Sequence, residues 1–411
     1  MKAVILAAGL GSRLNPLTQT RPKHLLPIAG EPLIGHIVST LSEIGIRDIG
    51  VVVHHFREKI EEYLGDGERF GVSISYIYQS ELDGTAGALE VAKEFVGEEE
   101  FLVVSGDVTV NRGVLTGFID YFKELDDVKG VILGVHVDDP HEYGVLLVEG
   151  GRLKSIVEKP RKGEVLSDLI NAGIYIFRPD IFNYINKVGR SPRGERELTE
   201  AIQLMANEKK VAVYDGGRGW WFDVGRPWDL IDANKVYLER VKTDIRGDIK
   251  LAARVIGNVR IGEGSVLLPG SVVVGPTYIG SRVIVGYNTV IGPYSTIGDD
   301  IEIGPLSYIS GSIIMKNTYI SSHCSIFESI IGENVYLESG VKIPSQNIYG
   351  GNIMVLIKGR KVDSGRSRLG AIIGDNVRIG ANTSIAPGIT IMPGATIPPN
   401  SKIVEDVIGG G

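Results

Sequence analysis

Hydrophobic positions follow two different rules along this chain. Up to about residue 240, short apolar or β-branched runs (AVIL, DIGVVV, FLVVSGD, GVILGVHV, INAGIYIF) alternate with amphipathic stretches such as PLIGHIVSTLSEIG and RELTEAIQLMANEK. Alternation of this kind predicts an α/β, Rossmann-like domain of parallel strands and crossover helices, in which ligands gather beyond the carboxyl ends of the strands. With Lys2 to Leu6 as the first strand, that edge falls on the glycine-punctuated segment LAAGLGSRLNPLTQTRPKHLLP.

After about residue 250 the period becomes six. Val255, Ile261, Leu267, Val273, Ile279, Val285, Ile291, Ile297, Ile303 and Ile309 are aliphatic; the phase returns at Ile331, Leu337 and Ile343, and again at Ile373, Ile379, Ile385, Ile391, Ile397 and Ile403. A helix would need spacings of three and four, and a half-buried strand a spacing of two, so a strict six predicts a coil that turns a corner every six residues. Each coil would bury its aliphatic residue against the coils above and below. Such hexapeptide repeats resemble those of families that wind as left-handed parallel β-helices, an exception to the right-handed crossover rule. The repeat breaks between Pro344 and Leu369, where an insertion leaves the coil. The chain therefore reads as a first domain over 1–240 and a β-helix over 241–411, with the insertion near 344–369.

Composition narrows the function class. A chain of 411 residues with 43% apolar and 23% charged residues has the balance of a globular protein with more than one core. The net charge of −7 is spread without a basic block, which argues against nucleic acid as a partner. Cys324 is the only cysteine, so an intrachain disulfide is excluded and a reducing compartment fits. The opening MKAVILAAGL, a lysine before an apolar run with small residues, has the shape of a signal-peptide start, but the run is short and leads into a glycine loop, so a targeting segment is not expected. No apolar run approaches the ~20 residues of a membrane span, so a cytoplasmic protein with no membrane partner is expected.

The candidate chemistry begins in the first loop. Backbone N–H groups of a glycine turn at a helix start form a concave set of donors, and missing Cβ atoms let phosphates approach. Gly9-Leu10-Gly11-Ser12-Arg13-Leu14 matches neither GxxxxGK[ST] nor GxGxxG, and supplies an arginine instead, with Lys23 a little further on. Asp107 in VVSGD and Asp223 in WWFDVG each follow an apolar run. Taken singly, each would serve equally well as a turn or capping aspartate; together at one sheet edge they suit Mg²⁺, a cation that needs only one or two protein oxygens. His54 and His55, adjacent in VVVHHF, read as strand neighbours facing opposite ways, which argues against one shared metal. The aromatic residues of GWWFDVG read as pocket wall and core rather than as a platform for bases.

LAAGLGSRL followed by RPKHLLP resembles the signature of the sugar-1-phosphate nucleotidylyltransferases, and the resemblance continues in order through Gln79 and GTAGA, SGD, EYG, EKP, NAG and WFDVG. It implies that Leu6, Ala8, Gly9, Gly11, Ser12 and Arg13 hold a nucleoside triphosphate while Lys23 neutralises its phosphates in the transition state. Gln79 and Gly84, with Thr85 beside them, would read a pyrimidine edge, as UTP or dTTP presents. Asp107 and Asp223 would bind Mg²⁺; Gly144, Glu158 and Asn171 would hold the sugar, with Lys159 on its phosphate. His24 is left without a role. The implied product is a UDP- or dTDP-sugar made from N-acetylglucosamine 1-phosphate or glucose 1-phosphate. A non-catalytic nucleotide-sensing or assembly subunit and a mannose-1-phosphate guanylyltransferase are the alternatives.

The repeat region, with SGRSRLGAIIGDNVRIGANTSI, further resembles the archaeal bifunctional N-acetylglucosamine-1-phosphate uridylyltransferase and glucosamine-1-phosphate acetyltransferase enzymes. That implies acetyl-CoA as a second co-substrate, His323 as base toward a sugar amine, and Asn347 in support. The sequence departs from the pattern at Ile326, where a tyrosine is called for, and its insertion offers Asn347 and Asn352 but no lysine before Lys358. The same resemblance implies a homotrimer or a dimer of trimers.

Overall fold

The computed structural model describes residues 1–109, 111–161, 163, 167–191, 194–218 and 221–409. Gly219 and Trp220 of GWWFDVG lie outside the described residues. By packing, the chain forms two compact units that are not contiguous in sequence: Met1–Leu10 with Leu33–Asp223, and Gly11–Pro32 with Val224–Gly411.

The first unit is built on a nine-stranded sheet. Its strands are β1 (Lys2–Ala7), β2 (Asp48–Val53), β3 (Ser73–Tyr78), β4 (Phe101–Ser105), β5 (Gly130–His136), β6 (Gly144–Glu149), β7 (Arg152–Glu158), β8 (Leu169–Phe177) and β9 (Val211–Asp215), in the order β3-β2-β1-β4-β8-β5-β9-β7-β6. β1 to β4 are parallel, as the apolar runs joined by helices such as Leu33–Glu43 require. The rest of the sheet is mixed, with β5 and β9 also parallel. β8 runs antiparallel to both β4 and β5, and β7 pairs antiparallel with β6 and β9. β8 also pairs with β6 at Ile170 and Val145, which carries the chain of EYG and NAG to one edge.

The second unit is a left-handed parallel β-helix with three eight-stranded sheets of short strands. Inward residues stack in register, for example Ile297, Ile314, Ile331 and Ile373 down one sheet, all fully buried. The stack does not lapse between Ile309 and Ile331: Ile314, Ile320 and Ile326 fill it. Two sides of the coil are one residue short there, and this hid those positions from a strict period of six. From Ile331 the next coil partner is Ile373; the intervening chain forms a hairpin, Met354–Ile357 against Arg360–Asp363.

Outward residues separate the three faces. On the second sheet, Ile284, Glu302, Tyr336 and Arg378 are exposed, and on the third Tyr308, Lys342 and Ser384. On the first sheet, by contrast, Thr296, Ile313, Ile330, Ile372 and Thr390 are buried. The cover comes from the same unit. Asn234, on the helix Pro227–Leu238, accepts a hydrogen bond from Thr296 Oγ1 at 2.7 Å and another from Ala29 N at 2.8 Å. Gly30 lies on the Tyr278 ring so closely that a side chain would meet Cζ at 2.2 Å. On this face the outward members of Ile313-Ile314, Ile330-Ile331 and Ile372-Ile373 are buried, whereas the outward Ile284 of Ile284-Val285 on the second sheet is exposed.

Candidate functional site

The loop after β1 is not a helix start. Ser12–Leu14 and Lys23–Leu25 are single 3-10 turns, and the first α-helix begins at Leu33. Donors here cannot add up to a helix dipole, so charge must come from side chains. Gly11 takes φ +66, and a side chain there would meet Lys23 Cβ at 3.0 Å and Thr18 Cγ2 at 3.2 Å. Thr18 Oγ1 ties the turn by donating to Gly11 O at 2.9 Å. Arg13 lies against Gly225, where a side chain would meet Nη2 at 2.9 Å. The Lys23 stem thus packs on Gly11 while the Arg13 guanidinium rests on Gly225, all within one unit, and Gly225 of WFDVG is a residue that the sequence reading did not assign. Ser12 is half-buried in the same turn, and His24, beside Lys23, is fully buried.

In the first unit Leu6 and Ala8 lead from β1 to an exposed Gly9, and Gly106 N donates to Leu6 O at 2.9 Å. That bond seats SGD beside the end of β1. A two-stranded ladder then pairs Asp223 with Val108 and Phe222 with Thr109, which sets Asp223 opposite the residue that follows Asp107. Both carboxylates are half-buried. Among the described residues no group of three or more His, Cys, Asp or Glu side chains could hold a metal ion, so this set is limited to two.

Gln79 is buried at the end of β3, its Nε2 donating to Gly84 O at 3.4 Å. Gly84 takes φ +83, and a side chain there would strike Arg196 O at 2.4 Å, so the GTAGA turn requires glycine at this position. Arg196 was missed by the sequence reading; it binds Glu90 at 2.6 Å and Asp83 at 3.3 Å, and these carboxylates, Glu90 foremost, hold its pKa above the ordinary value. Thr85 Oγ1 accepts from Leu198 N at 2.9 Å. His54 and His55 follow β2 rather than lie on it, because the chain turns after Val53. His54 contacts Gln79 O at 2.7 Å, while His55 packs on Phe56, so the two serve different partners.

The remaining set converges through sheet register. Glu158 pairs with Gly144, where a side chain would meet Glu158 Oε2 at 3.0 Å and Asn171 Cβ at 3.8 Å. The register of β8 slips between Asn171 and Tyr175, so NAG bulges; Gly173 takes φ +74 there, and Asn171 Nδ2 donates to Tyr175 Oη at 2.9 Å. Burial pushes the Tyr175 phenol up to about 12; the Asn171 hydrogen bond opposes this, and the carboxylates of Glu158 and Asp107 add to it. Lys159 is exposed at φ +48, its N–H bound to Tyr143 O at 3.0 Å. Glu158 also lines a cleft of about 360 Å³ with Ile156, Thr199 and Gln203.

On the β-helix, His323 is exposed at a corner with φ +60. Asn288, Leu306, Asn382 and Asn400 take the same left-handed corner, so this backbone belongs to the coil and not to catalysis. Asn347 closes its own turn, with Oδ1 accepting from Tyr349 N at 3.0 Å and Nδ2 donating to Gly350 O at 3.1 Å. Ile326 points inward between Ile309 and Ile343 and is fully buried. Ile326→Ala should cost about 2–5 kcal/mol in urea unfolding, and Ile326→Tyr should destabilise the coil without adding a surface phenol. An unchanged unfolding midpoint in both variants would contradict the inward placement.

Comparison with known proteins bears on both halves. The family model described as nucleotidyl transferase matches residues 2–240, the GMPPB C-terminal domain model 273–362, and the bacterial transferase hexapeptide (six repeats) model 370–405. Over 379 residues the chain is 37% identical to the bifunctional protein GlmU of Methanocaldococcus jannaschii, spanning 92% of this chain and 88% of that one. Over 390 residues it is 36% identical to the bifunctional sugar-1-phosphate nucleotidylyltransferase/acetyltransferase of Sulfurisphaera tokodaii, spanning 92% and 91%. A crystal structure from Bacillus anthracis, described as a glucose-1-phosphate thymidylyltransferase in complex with a sucrose, superposes with a TM-score of 0.54 at 32% identity, covering 60% of this chain and 98% of that one.

Proposed function

This chain belongs to the nucleotidyl transferase family, and from that premise we propose that it transfers the nucleotidyl group of UTP or dTTP to N-acetylglucosamine 1-phosphate or glucose 1-phosphate and releases pyrophosphate. The observation that carries this reading is the packing of Lys23 on the left-handed Gly11 turn, with the Arg13 guanidinium against Gly225 of WFDVG. The sugar phosphate has a second pKa of ~6, so it is already a dianion at neutral pH and needs no general base. Its oxygen bonds to the α-phosphorus as the bond to the leaving pyrophosphate breaks. Arg13 and Lys23 offset the charge that collects on the phosphates, and Leu6, Ala8, Gly9, Gly11 and Ser12 line their approach. Gln79, Gly84 and Thr85 take the base; Gly144, Glu158 and Asn171 take the sugar, with Lys159 on its phosphate.

Asp107 and Asp223 would hold Mg²⁺: both are half-buried, and Asp223 pairs with Val108, the residue after Asp107, in a two-stranded ladder. When bound, the cation supplies positive charge against the triphosphate. A pyrophosphate-release screen over UTP, dTTP, GTP, CTP and ATP with several sugar 1-phosphates tests the reading. Release with a pyrimidine triphosphate supports it. Release confined to GTP with mannose 1-phosphate would replace it with guanylyl transfer, and no release from any pair would leave a non-catalytic subunit.

A second activity, acetyl-CoA-dependent acetylation of an amino sugar 1-phosphate, is supported by His323, whose ring is exposed at a corner of the coil where it would serve as the base. Asn347 would assist from the insertion. Coenzyme A release with glucosamine 1-phosphate and galactosamine 1-phosphate should fall to background in His323→Ala; equal release from both proteins would remove the proposal. The regular coils also suit a homotrimer or a dimer of trimers, and a monomeric mass by light scattering at micromolar protein would exclude both. Among the described residues no helix is long and apolar enough to cross a membrane, and we propose a cytoplasmic location.

A further inference from the structure

The segment that carries Arg13 and Lys23 is fastened to one corner of the β-helix. Glu333 and Asp375 occupy the same corner position of successive coils, each two residues after the inward Ile331 and Ile373, and Met315 directly follows the inward Ile314 on the coil before. Arg21, buried, reaches all three: Nη1 donates to Glu333 Oε1 at 2.6 Å and to Met315 Sδ at 3.4 Å, and Nη2 donates to Asp375 Oδ2. Thr20 Oγ1 donates to the same Asp375 oxygen at 2.6 Å. The other oxygen, Oδ1, accepts from Glu333 N at 2.8 Å, and Gly332 leaves it room. Asp375 thus clamps two coils and the loop with one buried carboxylate.

We propose that Arg21 is a positioning residue for nucleotidyl transfer, locking the turn of Gly11, Arg13 and Lys23 onto the β-helix. The inference rests on the reading that Arg13 and Lys23 act on the triphosphate. Lys23 stands two residues beyond Arg21, separated by Pro22, whose ring narrows the backbone. A guanidinium held at two carboxylates on stacked coils cannot shift without leaving a buried charge unpaired. Misplacement of a charge-stabilising group by about 1 Å can cost ~10²-fold in rate. The β-helix is therefore part of the machinery of the first reaction, independently of any acetyl transfer.

The test uses full-length Arg21→Lys, Arg21→Gln, Asp375→Asn, Thr20→Val and Asp299→Asn, with Lys23→Ala for reference. Asp299 is the matched control: it makes the same corner bond on another coil, accepting from Ser281 N at 2.8 Å. In pyrophosphate release, Arg21→Gln and Asp375→Asn should lower kcat by about 10- to 100-fold with KM for the triphosphate moved far less. Arg21→Lys should recover most of the loss, Thr20→Val should lose several-fold, and Asp299→Asn should keep wild-type kcat. The double variant Arg21→Gln/Asp375→Asn should be no worse than the weaker single. Thr20→Val removes one neutral hydrogen bond and keeps the test alive if the charge variants do not fold. Wild-type kcat in the folded Thr20 and Arg21 variants, or equal loss in Asp299→Asn, would overturn the positioning role. If Lys23→Ala also kept wild-type kcat, the underlying reading would fall with it; a dead Lys23→Ala beside active Arg21 variants would sink the positioning role alone.

Discussion

Alanine at Asp107 or at Asp223 is expected to lower nucleotidyl transfer by about 10³-fold or more while the protein stays folded. A cation held against a triphosphate contributes several kcal/mol of charge stabilisation, and each ~1.4 kcal/mol is a factor of ten in rate. The fold should tolerate both changes because the ladder beside the two residues is made by backbone, Asp223 with Val108 and Phe222 with Thr109. Neither side chain is part of the hydrophobic core. Pyrophosphate release measured over a range of Mg²⁺, beside circular dichroism of each variant, decides the matter. Near wild-type, Mg²⁺-dependent turnover in either folded variant would remove the pair from the reaction.

Lys23→Ala should act differently, lowering kcat by about 10²-fold and triphosphate affinity by much less. The ammonium opposes charge that grows as pyrophosphate departs, so most of its effect belongs to the transition state. Local structure should survive, since the 3-10 turn at Lys23–Leu25 is closed by backbone, Leu26 N donating to Lys23 O at 3.1 Å. Steady-state kinetics over triphosphate concentration separates the two constants. A rise in KM at constant kcat would make Lys23 a ground-state binding residue.

The sequence by itself determined the periodic features. A spacing of six in aliphatic residues has one physical solution, a coil that turns every six residues, and the inward stack from Ile261 to Ile397 follows it. Alternation of strand-like and helix-like runs was equally legible in the first unit, because each period reports burial of one face of one element. Only the tertiary structure decided what those periods do not encode. Ile326 alternates as a coil residue should, yet only the register with Ile309 and Ile343 shows that it fills the core. Antiparallel β8, with its bulge at NAG, depends on partners far along the chain, as does the ladder that seats Asp223 beside the SGD turn. The packing of Gly11–Pro32 with the β-helix left the least trace. An arginine in a polar loop and an aspartate at a coil corner each look solvated when read alone. Only their meeting, across 354 positions of sequence, makes them a buried pair, because desolvation of a charge is decided by the partner that folding brings to it.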